Sequence, residues 1–214
     1  MSETRTSMKP WQRIIKRGLD LSGSVIALFF LSPLLILLAG VIRLDSSGPV
    51  LFRQARLGKD RRPFMIYKFR TMLVNAPDLR NADGSTYNSE NDPRVTRVGR
   101  FLRKTSLDEL PQLINVAKGD MSLVGPRPDV VDALSFYRPQ DYVRLAMKPG
   151  ITGWAAIHGR NLVPLPQRRD LDIEYVTRYS LRLDFEILVR TLPYVLLSHG
   201  VNTYQSGEPP DGTH

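Results

Sequence analysis

One uncharged apolar run near the N-terminus constrains this chain more than any other feature. Residues 24–42 carry no charged side chain and are rich in leucine, isoleucine, valine and phenylalanine. A straight helix of that length would reach about 28 Å, just enough to cross the hydrocarbon core of a bilayer. The sequence therefore predicts a membrane-embedded helix here, and no second stretch is long and apolar enough to be another candidate.

Two features favour a helix that enters and leaves through one leaflet. Ser32-Pro33 lies in the middle of the run, where proline removes a backbone hydrogen bond and a serine hydroxyl can bind the freed carbonyl. Both flanks are basic, which assigns both to the cytoplasm. The flanking cations are Lys9, Arg13, Lys16 and Arg17 before the run, and Arg43, Arg53, Arg56, Lys59, Arg61 and Arg62 after it. We expect a re-entrant helix-break-helix, with an ordinary crossing helix as the alternative.

The rest of the chain is long enough to form a domain with its own core. Its 214 residues include 30 Lys+Arg and 21 Asp+Glu, and the net charge of +9 indicates lipid headgroups, nucleic acid or a phosphorylated substrate as partner. The absence of cysteine excludes disulfides and thiolate zinc sites. We expect a flexible N-terminus (1–9), the membrane hairpin (10–43), a catalytic domain (44–200) and a flexible tail (201–214). The predicted fold is α+β and mostly helical, with amphipathic helices at the membrane interface.

The stretch from Arg103 to Ile114 is where we expect the chemistry. Ser106 with Glu109 matches a capping box ahead of apolar residues at helical spacing. Asp108 and Glu109 would then lie in the first helical turn, where free N–H groups and the helix dipole attract phosphate and keep a carboxylate ionised. Acidic residues in a first turn also have a purely structural explanation. The basic residues nearby favour catalysis.

Other cations lie at positions suited to phosphate. In a predicted strand over residues 64–72, alternation places Lys68 and Arg70 on one face, which is either a solvated face or a pair of phosphate ligands. Arg127 lies between two prolines, so its backbone is stiff and its guanidinium is held in place. Arg160 follows a glycine and adds one more cation.

These residues fit phosphoryl transfer at a lipid surface. The chain has no Walker loop, dinucleotide-binding glycine pattern, zinc signature or serine-hydrolase elbow. Cations could neutralise a diphosphate, an oxygen-ligated Mg²⁺ could draw electron density from the leaving phosphate, and a carboxylate could attack phosphorus. The alternative is a membrane-anchored basic adaptor that binds nucleic acid or acidic lipid without catalysis, although an adaptor has no need for a carboxylate among its phosphate contacts.

Several motifs, in order along the chain, resemble those of the bacterial sugar transferases, the small monotopic phosphoglycosyl transferases. They are Ser32-Pro33, Lys68-Phe-Arg-Thr-Met72, Arg103-Lys-Thr-Ser-Leu-Asp-Glu-Leu-Pro-Gln112, Gly119-Asp-Met-Ser-Leu-Val-Gly-Pro-Arg-Pro128, Lys148-Pro-Gly-Ile-Thr-Gly-Trp154 and Gly159-Arg-Asn161. The resemblance implies transfer of a sugar-1-phosphate from a UDP-sugar to undecaprenyl phosphate with release of UMP and with Mg²⁺ as cofactor. It places the enzyme on the cytoplasmic face of the bacterial inner membrane, implies no nucleic-acid partner and leaves a homodimer open.

The resemblance also implies roles for matched residues. Asp108 would be the nucleophile of a ping-pong reaction through a covalent phosphosugar intermediate and a Mg²⁺ ligand, and Glu109 would orient groups or handle a proton. In an alternative with the same substrates, Glu109 acts as a base for direct transfer. The matched positions expected to bind substrate are Lys68, Arg103, Arg127, Arg160, Asp172 and Asp184. The sequence does not predict which sugar is carried.

Overall fold

The described part of the chain is mostly helical, with two small sheets. The computed structural model describes residues 6–79, 87, 89, 92–159 and 162–196. Its helices are α1 (Pro10–Asp45), α2 (Arg97–Thr105), α3 (Gln112–Lys118), α4 (Trp154–Ile157), α5 (Leu165–Thr177) and α6 (Leu181–Leu196). Its strands are β1 (Leu51–Leu57), β2 (Pro63–Phe69), β3 (Ser122–Val124) and β4 (Gly150–Thr152). The predicted α+β, mostly helical class is confirmed.

The two sheets each contain two strands. Strands β1 and β2 form an antiparallel hairpin in which Leu51 is opposite Phe69. Strands β3 and β4 are parallel, with Ser122 beside Gly150. A Cβ added to Gly150 would lie 2.1 Å from the backbone nitrogen of Gly125, so only glycine permits this close approach of the two segments.

The core consists of three clusters of buried apolar side chains. The largest joins β3 to the C-terminal helices, the second joins α1 to α2 and β2, and the third joins β2 to α3. Representative members are Val124, Tyr175, Val176 and Ile187 in the first, Leu38, Ile42, Phe69 and Leu102 in the second, and Ile66, Val116 and Met121 in the third. Helix α1 therefore shares a core with the rest of the chain.

Helix α1 is continuous where the sequence predicted a break. It runs for 36 residues with Pro33 inside it, so the predicted break into two short helices at Ser32-Pro33 is not shown. Pro33 has no N–H to donate to the carbonyl of Phe29, and the Ser32 hydroxyl donates to that carbonyl instead at 2.8 Å. The hydroxyl compensates the missing bond, which lets the helix continue.

Both ends of α1 contact the same body of protein. Near its start, Lys16 forms an ion pair with Asp184 of α6 at 2.6 Å, and the Asp20 carboxylate accepts the backbone N–H of Leu123 at 2.9 Å. Near its end, Leu38 and Ile42 are buried in the second core cluster. Between Ser24 and Leu38 no side chain is buried, although Leu34 and Leu35 pack partly against the second core cluster.

The outward face of α1 is apolar and exposed. Ile14, Phe29, Phe30 and Ile36 are each at least 73% exposed, whereas the polar side chains of Lys16, Asp20 and Ser24 are buried against the domain. This inverts the pattern of a helix on a water-soluble protein. By length and composition, α1 could cross a membrane. Helix α6 also exposes apolar side chains, at Phe185, Leu188 and Val189.

The predicted flexible ends lie mostly outside the described residues. Residues 1–5 and 197–214 are not described, and neither is most of the polar stretch 80–91. Helix α3 ends at Lys118, and the next residue, Gly119, adopts the left-handed conformation (φ 93°) that glycine favours.

Candidate active site

The Asp108-Glu109 pair lies in a short 3-10 turn, Leu107–Glu109, between α2 and α3. The predicted capping box is wrong. Ser106 has left-handed backbone angles (φ 58°, ψ 14°) and its side chain makes no capping hydrogen bond, whereas an N-cap needs extended backbone. Helix α3 begins only at Gln112, after Pro111. The carboxylates therefore lie in a single 3-10 turn and not in the first turn of α3, so the dipole of α3 does not carry the argument for the ionisation of Asp108.

Glu109 is held between two cations from distant parts of the sequence. Its Oε1 atom accepts from Lys68 Nζ of β2 at 2.8 Å and from an Arg127 Nη at 3.1 Å. Glu109 is buried, so these contacts fix its carboxylate. The hairpin supplies Lys68 and the Gly-Pro-Arg-Pro loop supplies Arg127, as the sequence analysis expected for both.

Asp108 has a different environment from its neighbour. Its side chain is half-buried, and within the described residues its carboxylate takes part in no hydrogen bond or ion pair. Burial raises the pKa of Asp108 to about 6, with Glu109 also raising it, while the positive charges of Lys68, Arg103 and Arg127 lower it. At pH 7 this carboxylate is mostly ionised, and its oxygens are available to react.

Arg103 places a third positive charge near Asp108. Its Nε atom donates to the Thr71 hydroxyl at 2.9 Å, which orients the guanidinium at the end of α2. Burial lowers the pKa of Arg103, and the negative charge of Asp108 opposes that shift. Lys68, Arg103 and Arg127 thus converge on the carboxylate pair.

Two cavities meet at Arg127. One, of about 190 Å³, has Glu109 and Arg127 in its wall and is otherwise mostly apolar. The other, of about 50 Å³, is lined by Arg127 with several charged side chains: Asp129, Arg144, Arg168, Arg169 and Asp172. Arg127 therefore borders both a mostly apolar cavity and a second cavity with several charged side chains in its wall, which we name the polar cavity.

Comparison with known proteins identifies the family. The family model described as bacterial sugar transferase matches residues 11–198. The chain belongs to the bacterial sugar transferase family. The prediction that this sugar transferase is an enzyme of the transferase class is thereby confirmed.

Three relatives illustrate the range of the family. The sugar transferase is 44% identical over 188 residues to the uncharacterized sugar transferase EpsL of Bacillus subtilis, covering 88% of this chain and 90% of the relative. It is 44% identical to an undecaprenyl-phosphate glucose phosphotransferase of Komagataeibacter xylinus, covering 91% of this chain and 38% of the relative. It is 43% identical to the UDP-glucose:undecaprenyl-phosphate glucose-1-phosphate transferase of Escherichia coli, covering 87% of this chain and 41% of the relative. The chain spans less than half the length of the last two.

Arg70 of the sugar transferase does not join the phosphate-facing cations. Its guanidinium donates to the carbonyls of Ser46 and Ser47, both at 2.6 Å, and so closes the C-terminal end of α1. The prediction that Lys68 and Arg70 lie on one face of a strand is wrong. Strand β2 ends at Phe69, so the alternation of side chains does not extend to Arg70.

Asp172 lies in an ion-pair network that borders the site. Its carboxylate is buried and accepts from Arg144 at 2.6 Å, and Arg144 also contacts Asp129 at 2.7 Å. Burial raises the pKa of Asp172 to about 6, although Arg144 lowers it. Asp172 lines the polar cavity together with Arg127, so the structure places it near the predicted site.

Asp184 is placed away from the carboxylate pair. It binds Lys16 of α1 and accepts the Tyr175 hydroxyl at 2.7 Å, so its contacts anchor α1 to α6. Burial raises the pKa of Asp184. The sequence analysis did not predict the ion pair between Lys16 and Asp184. Lys16 and Asp20 are four residues apart near the start of α1, so they lie on one face of the helix, and this pattern could have indicated a buried polar face. Arg160 lies outside the described residues.

Asn115 is a positioning residue that sequence reasoning missed. It is fully buried in α3, where its side-chain amide donates to the Met65 carbonyl at 2.7 Å and its oxygen accepts the Tyr67 N–H at 2.9 Å. These bonds tie α3 to β2 one residue before Lys68. An asparagine among apolar helical positions was the only available signal.

Proposed function

We propose that the sugar transferase moves a sugar-1-phosphate from a UDP-sugar to undecaprenyl phosphate and releases UMP. The observation that carries this proposal is the carboxylate of Asp108, which has no hydrogen bond or ion pair within the described residues and lies beside three converging cations. The printed name of the Escherichia coli relative gives a UDP-sugar as its donor and undecaprenyl phosphate as its acceptor. Both substrates carry phosphate, which matches the charge of this site.

In the first step, an Asp108 oxygen attacks the phosphorus that bears the sugar. The bond from this phosphorus to the bridging oxygen of the diphosphate breaks, and UMP leaves with the electron pair. The product is an acyl phosphate that joins Asp108 to the sugar. In the second step, an oxygen of undecaprenyl phosphate attacks the same phosphorus and the Asp108 carboxylate is released. Neither ionised nucleophile has to lose a proton.

The surrounding cations stabilise charge at both steps. Lys68, Arg103 and Arg127 would neutralise the diphosphate and the oxygens of the phosphoryl group as it is transferred. Lys68 and Arg127 both bind the same Glu109 oxygen. This geometry favours a role for Glu109 in holding the two cations in place over a role as the base of a direct transfer.

The carboxylate pair is compatible with Mg²⁺. No group of three or more metal-binding side chains occurs among the residues that are described. Mg²⁺ commonly uses one or two carboxylates and takes its remaining ligands from water and substrate phosphates. The free oxygens of Asp108 fit that need, with Glu109 beside them. When bound, Mg²⁺ would supply positive charge to the diphosphate and to the departing UMP.

We also infer that α1 stays at one leaflet, with the domain on the cytoplasmic side. Residues 16–24 and 34–42 of α1 both pack on the same domain, which leaves residues 25–33 between them. A segment of that length reaches only about 14 Å as a helix, whereas the hydrocarbon core is about 30 Å thick. A crossing helix would have to pull one of its ends off the domain.

Trapping the intermediate tests the reaction. Full-length protein in detergent is mixed with Mg²⁺ and UDP-glucose labelled in the sugar, without acceptor. We expect a burst of UMP that equals the amount of enzyme and an equal amount of label bound to protein. Asp108→Asn should abolish both. Asp132→Asn, a carboxylate exposed on the surface, should change neither.

Two results would contradict the proposal. Label retained by Asp108→Asn would exclude Asp108 as the nucleophile. UMP release that needs undecaprenyl phosphate in the same turnover, with no label on the protein, would indicate direct transfer. If no UDP-sugar of a broad panel yields UMP, the proposed donor is wrong.

Cysteine labelling tests the topology of α1. The chain has no native cysteine, so Ser22→Cys and Leu44→Cys each create a single labelling site just outside one end of the apolar run 24–42. In sealed vesicles of known orientation, a membrane-impermeant maleimide should reach both sites from the cytoplasmic side only. Labelling of the two sites from opposite sides would restore the crossing helix. Pairing with a second copy of the chain stays a prediction.

A further inference from the structure

A second cavity, distinct from the carboxylate site, lies where the start of α1 meets the domain. It has a volume of about 70 Å³ and is lined by five basic side chains and one carboxylate: Arg13, Lys16, Arg17, Lys59, Lys148 and Asp20. None of these residues lines either cavity at Arg127. The proposed transferase reaction gives this basic cavity no role.

The carboxylates next to the basic cavity compensate only part of its positive charge. Asp20 accepts the Ser122 hydroxyl at 3.0 Å and the Leu123 N–H at 2.9 Å, and because both donors are neutral it keeps its negative charge. Asp184 binds Lys16. Two carboxylates against the five cations leave an excess of three positive charges.

The remaining cations have weak partners. Within the described part of the chain, the Lys148 ammonium and the Arg13 guanidinium take part in no hydrogen bond or ion pair. Lys59 has only a loose pair with Asp60 at 3.8 Å. Arg17 donates to the carbonyls of Val116 and Ala117, which are neutral acceptors, at 2.7 and 2.8 Å. The basic cavity therefore carries an uncompensated positive charge.

Lys148 and Arg17 are held close together despite their like charges. Both the Lys148 Nζ atom and the Arg17 guanidinium lie 3.4 Å from the point that a Cβ on Gly119 would occupy. Burial lowers the pKa of Lys148, and Arg17 and Lys59 lower it further, while the carboxylates of Asp20 and Asp120 oppose the shift. An anion between these side chains would remove the repulsion.

The dimensions of the cavity suit a phosphate group. With a volume of about 70 Å³, the cavity has room for a group larger than a single water molecule, such as a phosphate. Arginine and lysine together are the usual ligands of phosphate in proteins.

The neighbouring surface indicates the source of the phosphate. Trp11, Ile14 and Ile15 lie on the same turns of α1 as Arg13 and are 51%, 75% and 43% exposed. A helix with an apolar stripe beside a basic stripe lies in the headgroup layer of a membrane. Acyl chains against the apolar stripe would bring a headgroup phosphate to Arg13 and the basic cavity.

We propose that the basic cavity binds the phosphate of an anionic membrane phospholipid and thereby fixes the start of α1 at the lipid surface. The phosphatidylglycerol headgroup, with one net negative charge, has the required chemistry. A zwitterionic phosphatidylcholine headgroup carries its own cation, so it would gain little from this site.

Lipid binding to the full chain tests the proposal. Full-length protein in neutral detergent micelles is titrated with fluorescent phosphatidylglycerol or phosphatidylcholine. Each cation near a lipid phosphate contributes about a fivefold change in affinity, so Arg13→Gln with Lys148→Gln should weaken phosphatidylglycerol binding about 25-fold. Phosphatidylcholine binding should not change. Arg53→Gln with Arg178→Gln removes the same charge from positions that do not line the cavity and should leave binding unchanged.

Two further variants separate binding from folding. Arg13→Gln alters an exposed side chain and should lower affinity about fivefold at unchanged thermal stability. Lys148→Arg keeps the charge and should retain most of the binding. The proposal is overturned if the two double variants lose binding equally, or if neither does. It is also overturned if inorganic phosphate or glycerol-1-phosphate displaces the lipid at similar concentrations, which would assign the basic cavity to a soluble anion.

Discussion

Replacing the proposed nucleophile should make the sugar transferase more stable at neutral pH. Asp108 is an acid whose pKa burial raises from 3.8 to about 6 in the folded protein. The folded state therefore holds a proton that the unfolded state releases more readily. Stability falls as pH rises from below the unfolded pKa through the folded one, and the loss is complete above about pH 7.

The size of the effect follows from the two pKa values. One pKa unit corresponds to about 1.4 kcal/mol, so the full shift costs the folded state about 3 kcal/mol above pH 7 and only about 0.5 kcal/mol at pH 4. Asp108 keeps some contact with solvent, which screens its charge, so we expect about half of these values. Asp108→Asn removes the cost, because the amide carries no charge at any pH. At pH 8 the melting temperature should rise by about 3–6 °C.

The stability difference between Asp108→Asn and the wild type is measured by thermal unfolding of the full chain in one detergent at several pH values from 4 to 8. The adjacent Glu109→Gln is the matched control. Glu109 is stabilised by Lys68 and Arg127, so its replacement should lower stability by at least about 1 kcal/mol at neutral pH. The reasoning is refuted if Asp108→Asn is less stable than the wild type at pH 8, or if the difference between them does not grow from pH 4 to pH 8.

Three other expectations follow from the same contacts. The rate of the UMP burst, measured by stopped flow, should rise about tenfold per pH unit below pH 6 and level off above it, because only ionised Asp108 attacks phosphorus. A rate that does not change from pH 5 to pH 7 would contradict this expectation. Arg70→Gln should lower stability by about 2–3 kcal/mol in thermal melts without changing UMP release per folded molecule. The control Arg43→Gln loses one exposed bond to the Gly48 carbonyl and should cost under about 0.5 kcal/mol. Equal losses of stability would argue against a special role for Arg70. Gly150→Ala should lower the free energy of unfolding by about 1–3 kcal/mol, because the added Cβ would overlap the backbone of Gly125. The control Gly40→Ala has open space around its Cβ and should leave stability unchanged or raise it in the same melts.

The sequence alone determined the features that depend on local pattern and composition. An uncharged run of the right length identified the membrane helix, and alternation identified β2 up to Phe69. Side-chain types then indicated phosphate chemistry at Asp108, Lys68, Arg103 and Arg127. Hydrophobic periodicity and charge pattern depend only on residues that are close together in the sequence, so they can be identified without the tertiary structure.

Tertiary structure decided which of these residues act together. The difference between Asp108 and Glu109 is invisible in the sequence, because it depends on Lys68 and Arg127, which lie 41 and 18 residues from Glu109. The same holds for Arg70, which binds the end of α1, and for Asp184, which anchors its start. Burial and ion pairing depend on distances between segments far apart in the chain, and those distances exist only once the core has formed.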